Sequence, residues 1–217
     1  MLSWWYICLW LFKYTISSAV FFLFTIIYNL SLEMSDEPKK LFIFARGETQ
    51  SLHRIRKKRR RMKKIINPWE GMSGYNCIGC SPDHPFGFHL HFYEDGEDIV
   101  SQWQPTADFQ GWVNTLHGGI QALLLDEICG WVVTRKLQTA GVTSRMETRY
   151  KRPISTLEPM LTLRAHVVEQ KRSFVTISAT LSDSSGIVCT EATCVYFVFP
   201  KEKAEKEMHF KECRVEE

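Results

Sequence analysis

One motif constrains this chain more than any other: His117-Gly118-Gly119, followed nine residues after the histidine by Asp126. It opens residues 120–137, the only long apolar stretch in the C-terminal two thirds of the sequence. At helical spacing, Ile120, Leu124, Ile128 and Trp131 cover one side, Leu125 and Val132 a second, and Val133 and Leu137 a third. A helix that is apolar nearly all round has no face for water, so the rest of the domain must bury it. Two features of the stretch need a reason. The glycines let the backbone approach another group closely and leave the first helical N–H groups unpaired. At the positive end of the helix dipole, those groups suit an oxyanion or a polarised carbonyl. Asp126 sets a carboxylate inside the apolar run, which is costly without a partner or a task. Backbone donors for an oxyanion plus one buried acid point to acyl-transfer or hydrolytic chemistry.

The flanking residues change period. Phe86, Phe88, Leu90 and Phe92 alternate with Gly87, His89 and His91, which predicts a strand over 86–92. Residues 99–104 predict a second, after the turn-like Glu94-Asp95-Gly96-Glu97-Asp98. After Gly141 the spacing predicts strands over 142–150, 160–169, 174–183 and 187–199, punctuated at Pro153, Lys171 and Ser184-Ser185-Gly186. One buried helix with two strands before it and four after it implies an α+β class, an antiparallel sheet wrapped around a long central helix. Residues 62–85, rich in Gly, Ser, Cys and Pro from 71 on, read as a lead-in loop. Residues 86–200 form the domain, and the charged, helix-prone 201–217 a solvated tail.

Charge separates off the first part of the chain. Residues 1–61 hold 11 of the 27 Lys/Arg and 4 of the 24 Asp/Glu, a net of +7; the 16 and 20 left downstream give −4. Residues 4–32 are apolar and aromatic, broken only by Lys13, and residues 54–61 read RIRKKRRR just before Met62. One reading is a membrane anchor with a polybasic cytoplasmic flank, long enough to span a bilayer from 14 to 32. The other is that translation starts at Met62 and residues 1–61 are an over-extended start, which places the protein in the cytoplasm with no membrane contact. The basic run lacks interleaved aromatics and a nucleic-acid-binding fold, so no nucleic-acid partner is expected. The seven cysteines are odd in number, and Cys129 and Cys194 fall in apolar segments, which fits a reducing compartment better than a disulfide framework.

The sequence resembles the hotdog-fold acyl-CoA thioesterases of the phenylacetate-pathway (PaaI-like) type, relatives of the hydroxybenzoyl-CoA thioesterases. The resemblance rests on Thr115-Leu116-His117-Gly118-Gly119, Ala122, Leu124, Leu125-Asp126-Glu127 and Gly130-Trp131, then Gly141-Val142-Thr143, Tyr150 and Pro153. A weaker match is Cys77-x-x-Cys80 with Asp83, Pro85, Gly87, Leu90 and Phe92, and together these span most of 75–200. The resemblance implies hydrolysis of an acyl-CoA or a related pantetheine thioester, no metal or redox cofactor, and a homodimer, often a dimer of dimers (a homotetramer). It implies Asp126 as nucleophile or general base for water, the Gly118 N–H as oxyanion donor, Gly119 for close approach, His117 as shaper of the turn, and Thr143 as a hydroxyl assisting the acid. Several relatives carry Asn or Gln six residues before the histidine; here that position is Gly111, with Gln110 beside it and Asn114 nearer the motif.

Geometry argues for the dimer independently. Gly118 and Asp126 are eight residues apart, roughly 12 Å along one helix, yet one thioester carbonyl must sit about 3 Å from both. Two antiparallel copies about a two-fold axis satisfy this, with Gly118 of one facing Asp126 of the other. Other groups carry lesser expectations. Glu127 points about 100° away from Asp126 and is assigned to substrate binding with Gln110, Asn114, Lys151 and Arg152, the last two as basic groups for the phosphates of a pantetheine ligand. A buried Asp126 without a task would instead need a basic neighbour such as Arg145 or Arg149. Cys77-x-x-Cys80 with His84, His89 and His91 invites a zinc reading, but a closed site needs four ligands and no second Cys pair follows, so no metal is expected. Trp112, Leu116, Trp131 and Phe174 would line a slot for a small, medium-chain or aromatic acyl group. The rival readings are a non-catalytic acyl- or CoA-binding hotdog protein and an enoyl-CoA hydratase or dehydratase.

Overall fold

The computed structural model describes residues 62–217, so both readings of the first 61 residues lie outside it. In chain order its strands are β1 (Lys63–Lys64), β2 (Phe92–Asp95), β3 (Asp98–Trp103), β4 (Gln110–Trp112), β5 (Thr115–Leu116), β6 (Gly141–Tyr150), β7 (Leu161–Lys171), β8 (Phe174–Ser182) and β9 (Val188–Val198). The helices are α1 (Gly118–Val132) and α2 (Lys201–Met208). Seven strands form one antiparallel sheet in the order β1-β2-β3-β7-β8-β9-β6, and β4 pairs with β5 as a separate short hairpin.

The apolar helix lies across this sheet, as its sequence requires. Leu124, Leu125, Ile128, Cys129 and Val132 are wholly buried against the inward side chains Leu163, Ala165, Ile177, Ala179 and Cys194. Each fully buried Leu or Ile contributes roughly 1.5–3 kcal/mol, so packing, more than local propensity, holds α1 in place. The helix begins where His117, in an extended conformation, accepts the Gly119 N–H on Nδ1 at 2.9 Å. It is shorter than the apolar stretch, because residues Val133–Leu137 wind as a π turn ending at Gln138 in the left-handed region. Thr134 Oγ1 there donates to the Gly130 carbonyl, and side-chain bonding of this kind loosens a helical ladder.

Two expectations are corrected. The strand expected over 86–92 begins only at Phe92, since His89 adopts φ 49° and breaks the extended run. Phe88 and Leu90 are still buried, their N–H groups donating to the carbonyls of Ile78 and Gly79, whereas Phe86 is 80% exposed. The C-terminal tail is not solvated throughout. Ala204, Phe210 and Cys213 are buried, Trp69 packs on Phe210, and Val215 bridges Ile65 beside β1. The charged face of α2 and the side chains of Lys211, Glu212, Arg214, Glu216 and Glu217 meet water. No helix among the described residues is long and apolar enough to cross a membrane.

Candidate active site

Asp126 sits where α1 passes over the β6–β9 pair. The register of that pair sets Thr143 opposite Tyr196, and both hydroxyls reach the same carboxylate oxygen. Thr143 Oγ1 donates to Oδ1 at 2.7 Å, and Tyr196 donates to Oδ1 at 2.8 Å and to the Asp126 carbonyl at 2.7 Å. Oδ2 has no partner among the described residues. Burial, reinforced by the negative charge of Asp126, pushes the Tyr196 phenol up, so it remains a neutral donor. The carboxylate is thus fixed through one oxygen and free at the other, facing a cavity of about 600 Å³ bordered by Tyr75, Glu127, Trp131, Val142 and Thr143.

The other end of the motif borders a different cavity. His117 is occupied as the helix cap, and its carbonyl takes the N–H groups of Ile120 and Gln121. With Gly119 bonded to the His117 ring, Gly118 N–H is the donor of this turn without an acceptor among the described residues. Tyr150 lies against Gly118 and donates to its carbonyl at 2.9 Å. Beside them a cavity of about 570 Å³ is bordered by His117, Gly118, Trp112, Tyr150, Lys151 and Arg152. Asp126 and the Gly118 N–H of one chain therefore open on separate spaces. Strand β6 connects them, with Thr143 at the acid and Tyr150 at the donor.

The remaining expectations divide. Lys151 and Arg152 stand at the Gly118 cavity, with Lys151 paired to Glu191. Gln110 and Asn114 do not reach it: the Gln110 carboxamide oxygen accepts the Asn114 N–H at 3.2 Å. Gly111 packs against the His117 ring, where a Cβ would lie 3.0 Å from Cδ2. Glu127 borders the same cavity as Asp126 but accepts from Trp131 Nε1 at 3.1 Å and meets the Cys77 thiol. Arg149 pairs with Glu147 rather than with Asp126. The four residues of the expected acyl slot are dispersed: Trp112 and Leu116 border the Gly118 cavity, Trp131 the Asp126 cavity, and Phe174 packs against Phe197.

Sequence reasoning missed Tyr196. Its signal was weak but present: Ala192, Cys194, Tyr196 and Val198 form the inward series of β9, and a buried tyrosine needs a partner for its hydroxyl.

Residues 113–190 match the family model of the thioesterase superfamily. Among solved structures, the crystal structure of a thioesterase superfamily protein aligns with a TM-score of 0.52 at 20% identity, covering 78% of this chain and 89% of its own. A hypothetical thioesterase from Streptococcus pneumoniae TIGR4, crystallised with coenzyme A, aligns at 24% identity over 48% of this chain and 83% of its own, TM-score 0.46. The E. coli PaaI protein from the phenylacetic acid degradation operon aligns at 16% identity over 52% and 82%, TM-score 0.48. No curated protein matches. The fold is the hotdog fold, and the segment 113–190 carries the thioesterase-superfamily pattern, which bears out the resemblance read from the helix motif.

Proposed function

We propose that the protein hydrolyses the thioester of an acyl-CoA carrying a small, medium-chain or aromatic acyl group, in a homodimer with two composite sites. The observation that carries this reading is the Asp126 carboxylate, anchored at Oδ1 by Thr143 and Tyr196 and free at Oδ2. The carboxylate is half-buried at the edge of a cavity, so the two hydroxyls set its direction while Oδ2 stays open to substrate or water. In each site the partner's Gly118 N–H holds the carbonyl oxygen as charge develops on it. Asp126 acts on the carbonyl carbon directly as nucleophile, or takes a proton from the water that attacks it. In the nucleophilic route the C–S bond breaks as an anhydride with Asp126 forms, and water then hydrolyses the anhydride to the free acid and restores the carboxylate. In the general-base route the tetrahedral adduct of water expels the thiolate directly. In both routes the thiolate leaves as the thiol with a proton that originates from water. Lys151 and Arg152, beside Gly118, supply positive charge for the phosphates of the carrier.

The sheet supports the dimer. Among the described residues β6 is a ten-residue edge strand that pairs only with β9, and most of its residues are exposed. Such an edge is an open template for another strand. Pairing it antiparallel with its own copy sets the Thr143 end of one strand beside the Tyr150 end of the other. Asp126 of one chain is thereby brought toward Gly118 of its partner. Trp112 and Val113, both 82% exposed on the β4–β5 hairpin, supply apolar surface for the same contact. A pair of such dimers is the expected higher assembly. The free cysteines, most of them buried, support a reducing, cytoplasmic setting for the domain.

A panel of acyl-CoAs, assayed both for free thiol and for substrate consumed, tests the reaction. Release of stoichiometric thiol from at least one short, medium-chain or aromatic thioester is expected. Binding without cleavage across the panel would make it a non-catalytic acyl-CoA-binding protein. Consumption of an enoyl-CoA without thiol release would make it a hydratase.

A further inference from the structure

Cys77 and Cys80 lie on the loop that crosses α1, far from His84, His89 and His91 in the roles they play. The Cys77 thiol stands 3.1 Å from that of Cys80 and 3.5 and 3.7 Å from the two oxygens of Glu127. One ligand atom from each of the three residues lies within 4.8 Å of the others. Two of the histidines are engaged elsewhere, His84 Nδ1 with the Phe86 N–H and His89 Nδ1 with the Ser81 carbonyl, and His91 is exposed. The carboxylate absent from the sequence-level tally of ligands comes from the helix instead.

We propose that Cys77, Cys80 and Glu127 form a zinc-class metal site with its fourth position open to the cavity that Asp126 borders. The donor set is two thiols and one carboxylate, which suits a borderline-soft divalent cation, and three protein ligands leave one position for water. With metal–sulfur and metal–oxygen bonds of about 2.3 and 2.1 Å, tetrahedral angles put sulfur and oxygen roughly 3.6 Å apart, close to the 3.5 and 3.7 Å found here. The sulfurs need to separate only from 3.1 Å to roughly 3.8 Å.

Three further features show that the place is built. A Cβ at Gly79 would come within 2.4–2.6 Å of the Glu127 carboxyl group, so the Cys-x-x-Cys turn omits a side chain at the point where the carboxylate enters. Two of the three ligands are oriented from behind: Trp131 Nε1 donates to Glu127, Tyr75 meets the Cys80 sulfur at 2.9 Å, and Asn67 donates to both Tyr75 and the Cys80 carbonyl. Such outer hydrogen bonds fix ligand rotamers at metal sites. No lysine, arginine or histidine among the described residues pairs with Glu127, so nothing else there balances its charge.

The inference does not depend on the proposed hydrolysis, and its test reads metal rather than turnover. Full-length protein purified under reducing conditions without chelator is analysed for metal, stripped, and titrated with zinc and with cobalt(II). About one zinc per chain and thiolate-to-cobalt charge-transfer absorption are expected. Cys77→Ser with Cys80→Ser should lose both. Glu127→Gln, which removes charge but little volume, should release zinc to a competing chelator more readily while its circular dichroism stays unchanged. Fully reduced wild-type protein that takes up neither metal would overturn the site. So would zinc bound equally by Glu127→Gln and by the double serine variant.

Discussion

Asp126→Asn is expected to leave a folded dimer that no longer hydrolyses thioesters, with kcat lower by on the order of 10²–10⁴. Asparagine has nearly the shape of aspartate and keeps an oxygen for Thr143 and Tyr196, so the two hydroxyl contacts that anchor the side chain survive. What disappears is the basic, nucleophilic oxygen on the free side. Loss of the other plausible acid would not imitate this, because Glu127 is engaged by Trp131 and the Cys77 thiol rather than by the hydroxyl pair. The check is steady-state thiol release beside circular dichroism and size-exclusion chromatography. Undiminished turnover in a folded Asp126→Asn dimer would remove Asp126 from the chemistry.

Gly118→Pro is expected to lower kcat by about 10²–10³, the usual consequence of deleting one oxyanion donor, with little effect on KM. Proline deletes the backbone N–H at this one position, and it is tolerated at the first residue of a helix because that N–H has no intrahelical acceptor. The residue before it must be extended, and His117 already is, at φ −61° and ψ 136°. Gly118→Ala is the control, since it retains the N–H. Its Cβ would rest 3.4–3.6 Å from the Tyr150 side chain, a contact met by small adjustment. Alanine should therefore stay near wild-type activity while proline does not. Equal losses in the two variants would mean that crowding at Tyr150, and not the donor, is what matters.

Much of this arrangement was legible in the sequence, and what was not has identifiable causes. The helix announced itself as a long apolar run opened by His117-Gly118-Gly119, the four strands after it through turn signals and strand-length apolar segments, and the strands fall within two residues of expectation. Long pairings amplify a pattern. Before the helix the alternation of residues 86–92 misleads, because His89 at φ 49° breaks the extended run. In the tail Phe210 and Cys213 are buried singly, with no repeating signal around them. Asp126, Gly118 and Thr143 could be named because they lie in contiguous motifs. Tyr196 could not, since its meeting with Asp126 depends on the β6–β9 register and spans 70 positions. The contact between Cys77 and Glu127 spans 50, and only the fold sets the loop against the helix.

The central claim is that each active site is shared between two chains, and subunit mixing tests it most directly. Asp126→Asn and Gly118→Pro dimers are each expected to be inactive. Dissociated, combined in equal amounts and reassembled, they form mixed dimers in which one site joins an intact Gly118 from the first chain to an intact Asp126 from the second. With random pairing, half the dimers are mixed and each has one working site of two, so activity should return to roughly a quarter of wild type. A reassembled mixture that forms mixed dimers, verified by mass, yet stays as inactive as its parents would contradict the account.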